Sequence, residues 1–456
     1  MNFAVVNLGC KVNRVESDAA AAQLLAAGWQ AAGTAEADVV VVNTCTVTGE
    51  AEKKTRKAVR RALRENARGA VLVTGCAAAI DAAAYEAMDA RVRVVPKARL
   101  SEELSALCAG RRVAEDAAPV DAGCGTGGTW DAARPAAAAG AAGAPLRTGE
   151  GFPTRVGVKV QDGCDNACTY CIVHVARGPA RSRGAAEVVA ECVSHARAGV
   201  REIVLAGINL GSYCSEAPAG ACDAAVAAGG PLRLAGLLRL LLHETAGIHA
   251  PGEPPCRFRI SSIEPRDVDG GLVEVLAQAQ GRVCRHLHLP LQAGSDAVLR
   301  AMARPYRAAD YVALVDRLRA ACPELSLSTD VIVGFPGETD DDFLKTLAVA
   351  RRCRFSKIHV FPYSRREGTP AAARADQVPA SVKAARARTL RALGDELREA
   401  DYARRAGGFE QVLVEEGGRG MTESYYEIAL DAACAPGAPM GALVGCRLPE
   451  SPLSVQ

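Results

Sequence analysis

The stretch VKVQDGCDNACTYCIVHVARG (158–178) decides how the chain is read. An apolar run ends at Val160, and three cysteines follow at once, Cys164, Cys168 and Cys171, spaced by four and three positions. That spacing lets one short loop wrap three thiolates around one face of a metal cluster. A cubane [4Fe–4S] cluster normally takes four cysteines, so a three-cysteine loop leaves one iron open to bind something else. Zinc is the competing reading, but no fourth Cys or His stands at zinc-finger spacing, His174 being the nearest candidate.

Downstream of this loop, strand-like runs at 202–206, 258–262, 285–289, 325–333 and 356–361 join the first, 155–161, in alternation with helical segments. Six such units fit a parallel barrel or part of one. Upstream, apolar runs at 3–8, 38–42 and 70–74 alternate with helical patterns at 14–27, read with an acidic first turn, and at 50–66. Strands alternating with helices imply βα units and a parallel sheet. Residues 381–405 read as a basic helix, and 408–449 as short β segments broken by Gly and Pro. The Ala/Gly/Pro-rich stretches 117–150 and 214–230 carry no periodicity and read as a linker and a loop insertion. The expected fold class is α/β, with an N-terminal parallel α/β sheet domain (1–115), a linker (116–150), a central partial (β/α) barrel (151–380), a connecting helix (381–405) and a small all-β module (406–456).

A chain of 456 residues is too long for one ordinary domain, and 49% hydrophobic with 23% charged residues excludes wholesale disorder. The net charge of +2 excludes a strongly basic coat, so nucleic-acid contact would have to come from local patches. No window is apolar enough to cross a bilayer, and MNFAVVNLGC lacks a basic leader region, which together predict a cytoplasmic protein. In that reducing compartment the 17 cysteines are not expected to form a disulfide framework, and some of them should bind metal.

Three more cysteines share a position in the pattern. Cys10 follows the first run, Cys45 the second and Cys76 the third, 35 and 31 residues apart, about one βα repeat each. In a parallel sheet all three leave the carboxyl edge, where open α/β sheets bind ligands. A structural cysteine serving as a small hydrophobe belongs within a strand, not just past its end. Three soft ligands suit Zn²⁺ or an iron–sulfur cluster, and spacing alone does not choose.

CxxxCxxC with an aromatic, Tyr170, before its last cysteine resembles the radical S-adenosylmethionine (SAM) enzymes. With Cys10, Cys45 and Cys76 added, the chain resembles the tRNA threonylcarbamoyladenosine methylthiotransferase family. Matching stretches include LGCKVNRVESD (8–18), NTCTVTGEAEKKTRK (43–57), GCDNACTYCIV (163–173), HLHLPLQAGSDAVLRAM (286–302), TDVIVGFPGET (329–339) and HVFPYSRREGTPAA (359–372). The ending GMTESYYEI (420–428) looks like the TRAM β-module of that family. His174 stands where these enzymes usually carry proline, and CAAA (76–79) lacks the tyrosine and glutamine often found there.

The resemblance implies two [4Fe–4S] clusters. One, on Cys164, Cys168 and Cys171, would bind and cleave SAM to a radical that takes hydrogen from C2 of adenine. The other, on Cys10, Cys45 and Cys76, would deliver sulfur, with the methyl group coming from a further SAM. Tyr170, Gly207, Asn209, Ser262, Glu264 and Gln292 are candidates for binding SAM, most of them just past expected strand ends. GFPGE (334–338) reads as a turn or as part of the same pocket.

For the tRNA anticodon loop, Lys53, Lys57, Arg60, Arg61, Arg64 and Arg68 fall on one helical face. Arg177, Arg181, Arg183, Arg386, Arg388 and Arg391 could extend that track, and Phe409, Tyr425 and Tyr426 could stack on bases or fill a small core. The expected protein is a monomer served by an electron-donor protein. Rival readings are methylthiolation of isopentenyl-adenosine in tRNA or of a ribosomal-protein aspartate, and a non-catalytic metal-stabilised RNA-binding module.

Overall fold

Four consecutive valines open the strand Val39–Thr44, and all six of its residues are buried. A strand apolar on both faces must be covered on both faces, and this one is. Val39 and Val41 pack with Leu24, Trp29 and Leu104 on one side. Val40 and Val42 pack with Val59, Ala62 and Tyr85 on the other. The computed structural model describes residues 1–46, 49–110, 154–218, 230–430, 434 and 437–453. The linker stretch 117–150 and most of the 214–230 insertion lie outside them.

The N-terminal sheet is five-stranded and parallel, in the order Gln30–Ala31, Asn2–Asn7, Val39–Thr44, Ala70–Gly75, Val92–Val94. The three long strands are those read from the sequence; the two short edge strands were too brief to show a period. The helix after the first strand runs Lys11–Ala26, three residues earlier than expected, so its first turn holds no acidic residue. The cause is Gly9 at φ 108°, which turns the chain straight from strand to helix with Cys10 as the extended N-cap.

The central unit has six parallel strands in chain order. Arg155–Lys159, Glu202–Ala206 and Arg257–Ile260 form one sheet, and His286–His288, Ser326–Val333 and Lys357–Pro362 the other. The parallel bridges Phe258–Val283 and Ser262–His288 join the two into one partial barrel. Outward residues such as Val156, Val158, Ile203, Leu205, Leu287 and Leu327 pack under the surrounding helices in one large core. The helix Ala380–Arg405 packs along the last strand, with Gly394 against Ile358. Cys214–Ser215 pairs antiparallel with Leu232–Arg233.

The inward face of the barrel is polar. Arg257 and Arg259, both essentially unexposed, converge on the buried carboxylate of Glu202, at 2.6 Å and 2.7 Å. Their remaining N–H groups donate to the carbonyls of Gln411 (2.8 Å), Met421 (3.0 Å), Thr422 (3.0 Å) and Glu423 (3.1 Å). Those carbonyls belong to an antiparallel four-stranded sheet, Glu427–Ala429, Arg419–Thr422, Phe409–Glu415 and Leu443–Arg447, which is the expected all-β module. Cys434 and Cys446 within it are paired as a disulfide, a bond not anticipated for a reducing compartment.

Burial alone would push the Glu202 carboxyl up, but Arg259 and Arg257 outweigh it and hold it far below the ordinary 4.5. Its contribution is therefore complete above pH 4.5 and is lost only as pH falls through the depressed folded-state value. Glu202→Gln should cost about 3–5 kcal/mol at pH 7, because two buried guanidiniums lose their counter-charge. Thermal unfolding and protease sensitivity of the C-terminal sheet would measure it, and parent-like melting would refute the arrangement.

Candidate metal centre and active site

The loop carrying Cys164, Cys168 and Cys171 leaves the carboxyl edge of the first barrel strand. Its backbone is pinned at both ends: the Cys164 N–H donates to the Gly178 carbonyl at 3.1 Å, and the Thr169 N–H to the Met302 carbonyl at 3.1 Å. Two amides already point at sulfur, Asn166 N–H at Cys164 Sγ and Val173 N–H at Cys171 Sγ, each at 3.4 Å. Cys168 is buried, and Arg304 Nη1 lies 3.2 Å from its Sγ. Burial pushes the Cys164 thiol up and that of Cys171 up to about 11. Thiols held protonated in this way release protons when a metal takes them.

Cys10, Cys45 and Cys76 gather at the carboxyl edge of the N-terminal sheet, as three βα repeats require. Cys10 caps its helix, Cys45 follows Thr44, and Cys76 opens the short helix Cys76–Ile80. Two glycines let these turns nest. A Cβ on Gly9 would lie 2.4 Å from both Cβ and Sγ of Cys45, and one on Gly75, at φ 103°, would lie 2.3 Å from the Thr44 carbonyl oxygen. Asn13 fixes the same turns, donating to the carbonyls of Leu8 (2.9 Å) and Thr44 (2.8 Å).

Arg177, from the helix Val173–Arg177 that follows the CxxxCxxC loop, joins the two sets. Its Nε lies 3.2 Å from Cys76 Sγ, Nη2 donates to Asn13 Oδ1 at 2.7 Å, and Nη1 to Glu16 (3.0 Å) and Asp162 (2.7 Å). Its side chain is 1% exposed, so it belongs to this junction and not to an RNA track. Glu16 is held down at about 2: burial works against this, but Lys97, Arg177 and Lys159 outweigh it. Arg366 spans the other side, within electrostatic reach of both Cys45 and Cys171 and paired with Glu52 at 3.0 Å.

The barrel rim beside the loop holds most of the residues expected to bind SAM. Gly207 lies over Gln161, where a Cβ would stand 3.1 Å from Oε1, so the rim there has room for backbone only. Asn209 is buried with its Oδ1 unpartnered, and so is Ser261 Oγ, both at the ends of inner strands. Unsatisfied buried polar atoms facing a rim fit a polar ligand. The residue that shows this deficit is Ser261, not the neighbouring Ser262. Glu264 is paired with Arg304, which also touches Cys168, linking rim and loop. Gln292 adopts φ 65° and bridges to the Ser326–Val333 strand through its backbone. Tyr170 instead packs edge-on to Phe335, centroids 6.4 Å apart, in an apolar cluster beneath the loop. GFPGE is a turn: Glu338 accepts from the Gly334 N–H at 2.6 Å and pairs with Arg386.

Lys53, Lys57, Arg60, Arg61, Arg64 and Arg68 are all exposed, on or just after the helix Gly49–Glu65, with Arg61 paired to Glu65. Arg181 is exposed, but Arg183 is tied to Glu191 (2.6 Å) and to the Lys159 carbonyl (2.9 Å). Arg386 is buried on Glu338 and Asp340, while Arg388 and Arg391 remain exposed. Tyr426 is core, Phe409 is 70% exposed, and Tyr425 enters the barrel to stack on His286 at 4.7 Å. The sequence reading missed Arg304, Arg366 and the inward set His286, His288, Asp330 and His359. A period-2 alternation of polar and apolar residues in RFRI (257–260), HLH (286–288) and KIH (357–359) was the signal.

Residues 158–350 match the radical SAM superfamily, and residues 2–95 match a group described as uncharacterized protein family UPF0004. The threonylcarbamoyladenosine tRNA methylthiotransferase MtaB of Bacillus subtilis is 36% identical over 397 residues, covering 87% of this chain and 80% of that one. A tRNA-2-methylthio-N(6)-dimethylallyladenosine synthase of Sorangium cellulosum is 37% identical, covering 91% and 81%. The chain belongs to the radical SAM tRNA methylthiotransferase family. The fold agrees with a solved radical S-adenosylmethionine methyltransferase, TsrM from Kitasatospora setae, at TM-score 0.51 and 15% identity, over 81% of this chain and 77% of that one. A [4Fe–4S] cluster and SAM come with this superfamily, and the three-thiol loop with its open rim fits both.

Arg177→Met should raise Glu16 from about 2 part of the way toward its ordinary 4.5, because Lys97 and Lys159 stay beside it, and cost about 1.5–3 kcal/mol at pH 7 through the lost charge-assisted hydrogen bonds to Glu16 and Asp162. Because a depressed carboxyl stabilises above its unfolded pKa, the parent loses this contribution only as pH falls from 4.5 toward 2. The variant should show a weaker acid-range dependence in pH-resolved melting, keeping the part that Lys97 and Lys159 hold.

Proposed function

We propose that the chain transfers a methylthio group to C2 of N6-threonylcarbamoyladenosine at position 37 of tRNA, in the cytoplasm and as a monomer supplied by an electron-donor protein. The observation that carries this reading is the junction of two three-cysteine sets across Arg177. We read the chain as an N-terminal methylthiotransferase unit (1–115), a linker (116–150), a radical SAM unit (151–380), a connecting helix (381–405) and a TRAM-like unit (406–456).

In this reading Cys164, Cys168 and Cys171 hold one [4Fe–4S] cluster and Cys10, Cys45 and Cys76 a second. Bound SAM and the clusters supply the radical chemistry and the sulfur that an unactivated aromatic C–H requires. The chain's own groups bind and position. Asn209 and Ser261 offer unsatisfied polar atoms to SAM, and Glu264 reaches the same rim while Arg304 holds both it and Cys168 in place. Lys53, Lys57, Arg60, Arg61 and Arg64 give the RNA a phosphate track, with Arg181 beside the cysteine loop; Arg183 is left out of the track because its guanidinium is already paired.

Nucleosides from tRNA of cells with and without the gene, compared by mass spectrometry, test the reaction and substrate together. Loss of the methylthio group from threonylcarbamoyladenosine is the expected result. Loss from isopentenyl-adenosine would move the substrate to that of the Sorangium relative. Reconstituted protein should hold about eight irons, and about four after alanine replaces either cysteine set.

The phosphate track has its own test. Lys57→Glu with Arg60→Glu should weaken tRNA binding and lower the slope of log affinity against log salt by about 0.9 per lost phosphate contact. An unchanged slope would remove this helix from the RNA interface.

A further inference from the structure

A cavity of about 790 Å³ opens between the helix Lys11–Ala26, the first barrel strands and the C-terminal sheet. Lys11, Arg155, Arg259 and Tyr425 line it, with Val204 and Ala206 on the wall that leads to Gly207 at the barrel rim. Its lining thus includes the residue after Cys10 and the residue before Gly207.

The charges on its wall are nearly all accounted for. Arg14 pairs with Asp18 at 2.8 Å, Arg155 with Glu415 at 3.0 Å, Arg259 with Glu202 at 2.7 Å and Arg419 with Glu427 at 3.0 Å. Among the described residues the carboxylate Glu416 has no ion-pair partner, and the lining cation without one is Lys11. Among the described residues no carboxylate lies within ion-pair distance of it, and its Nζ rests 5.3 Å from the Tyr425 ring centre. His286 and His359, on the inner face, both feel its charge. The potential in the cavity registers on Tyr425: burial would push its phenol up, yet Lys11, Arg155 and Arg259 together hold it below the ordinary value. Lys11 is exposed to the cavity, and a cation with no anion of its own is a site for one brought by a ligand.

We propose that Lys11, with Arg155 and the Tyr425 hydroxyl beside it, binds the carboxylate of the threonyl group on the substrate's N6 substituent. The inference rests on the substrate reading above and deepens it. The apolar isopentenyl substituent offers nothing to pair with Lys11 and leaves it unneutralised. The threonylcarbamoyl group ends in a carboxylate, the partner that Lys11 lacks. Discrimination between the two nucleosides thus comes from one charge-assisted ion pair.

The test uses reconstituted holoenzyme and anticodon stem-loop RNAs carrying threonylcarbamoyladenosine or its neutral methyl ester. The parent should favour the acid over the ester by about tenfold in kcat/KM, equivalent to about 1.4 kcal/mol. Lys11→Met should reduce that ratio to near one, and Lys11→Arg should restore most of it. Equal kcat/KM for acid and ester in the parent overturns the proposal while leaving the reaction in place. Turnover of isopentenyl-adenosine RNA alone overturns the substrate reading and this proposal with it. Iron is measured in each variant, because Lys11 adjoins Cys10. Should Lys11→Met lose its iron, the acid-to-ester ratio of the parent decides alone.

Discussion

One carboxylate, Glu202, stands against two unexposed guanidiniums inside the barrel, and the rest of the architecture accommodates that imbalance. A barrel lined with Arg257, Arg259, His286, His288, Ser328 and Asp330 cannot close on itself as an apolar one does. The N–H groups that Glu202 cannot satisfy need acceptors, and the C-terminal sheet provides four carbonyls. The turn Thr422–Tyr426 is thereby drawn into the barrel. Tyr425 takes φ 71°, a costly conformation for a bulky residue, and is held there by the stack on His286 and by Arg259 4.8 Å from its ring centre. The small β-module closes the polar interior of the larger unit, and does so through charge.

The two cysteine sets follow from a different constraint. Both lie just past the carboxyl ends of parallel strands, where backbone N–H groups and loop turns are available and the sheet interior is not. Bringing two such edges together juxtaposes carboxylates as well as thiols, and Glu16 and Asp162 would repel one another without a cation between them. Arg177 occupies that position, with Lys97 and Lys159 flanking. An arginine suits the place because its planar fork meets Glu16, Asp162, Asn13 and Cys76 at once, which a lysine's point charge does not.

The parallel strands, the barrel order and the all-β ending were legible because each long element repeats its own period over five or more residues. The six cysteines were legible because their positions were set by the pattern of strands, and CxxxCxxC is a local motif. What the sequence concealed depends on pairing across distance. Arg177 and Arg386 look like members of a basic track until Glu16, Asp162, Glu338 and Asp340 are found around them. Tyr425 and Tyr426 are adjacent and chemically alike, yet one enters the barrel and the other fills the β core. Gln30–Ala31 and Val92–Val94 are too short for any periodicity to declare them.

The helix Gly49–Glu65 shows how surface and centre share one rigid element. Its outer face presents Lys53, Lys57, Arg60 and Arg64 to solvent. Its inner face holds Thr55, whose hydroxyl stands 3.3 Å from both the N and the O of Cys45, and Glu52, which pairs with Arg366. Arg366 in turn lies within reach of Cys45 and Cys171. A helix hydrogen-bonded along its length moves as a unit, so the outer cations and the contacts to Cys45 ride on the same rod. The net charge of +2 is thus compatible with binding a polyanion, because the cations are placed on the element nearest the thiols and spent elsewhere on internal ion pairs.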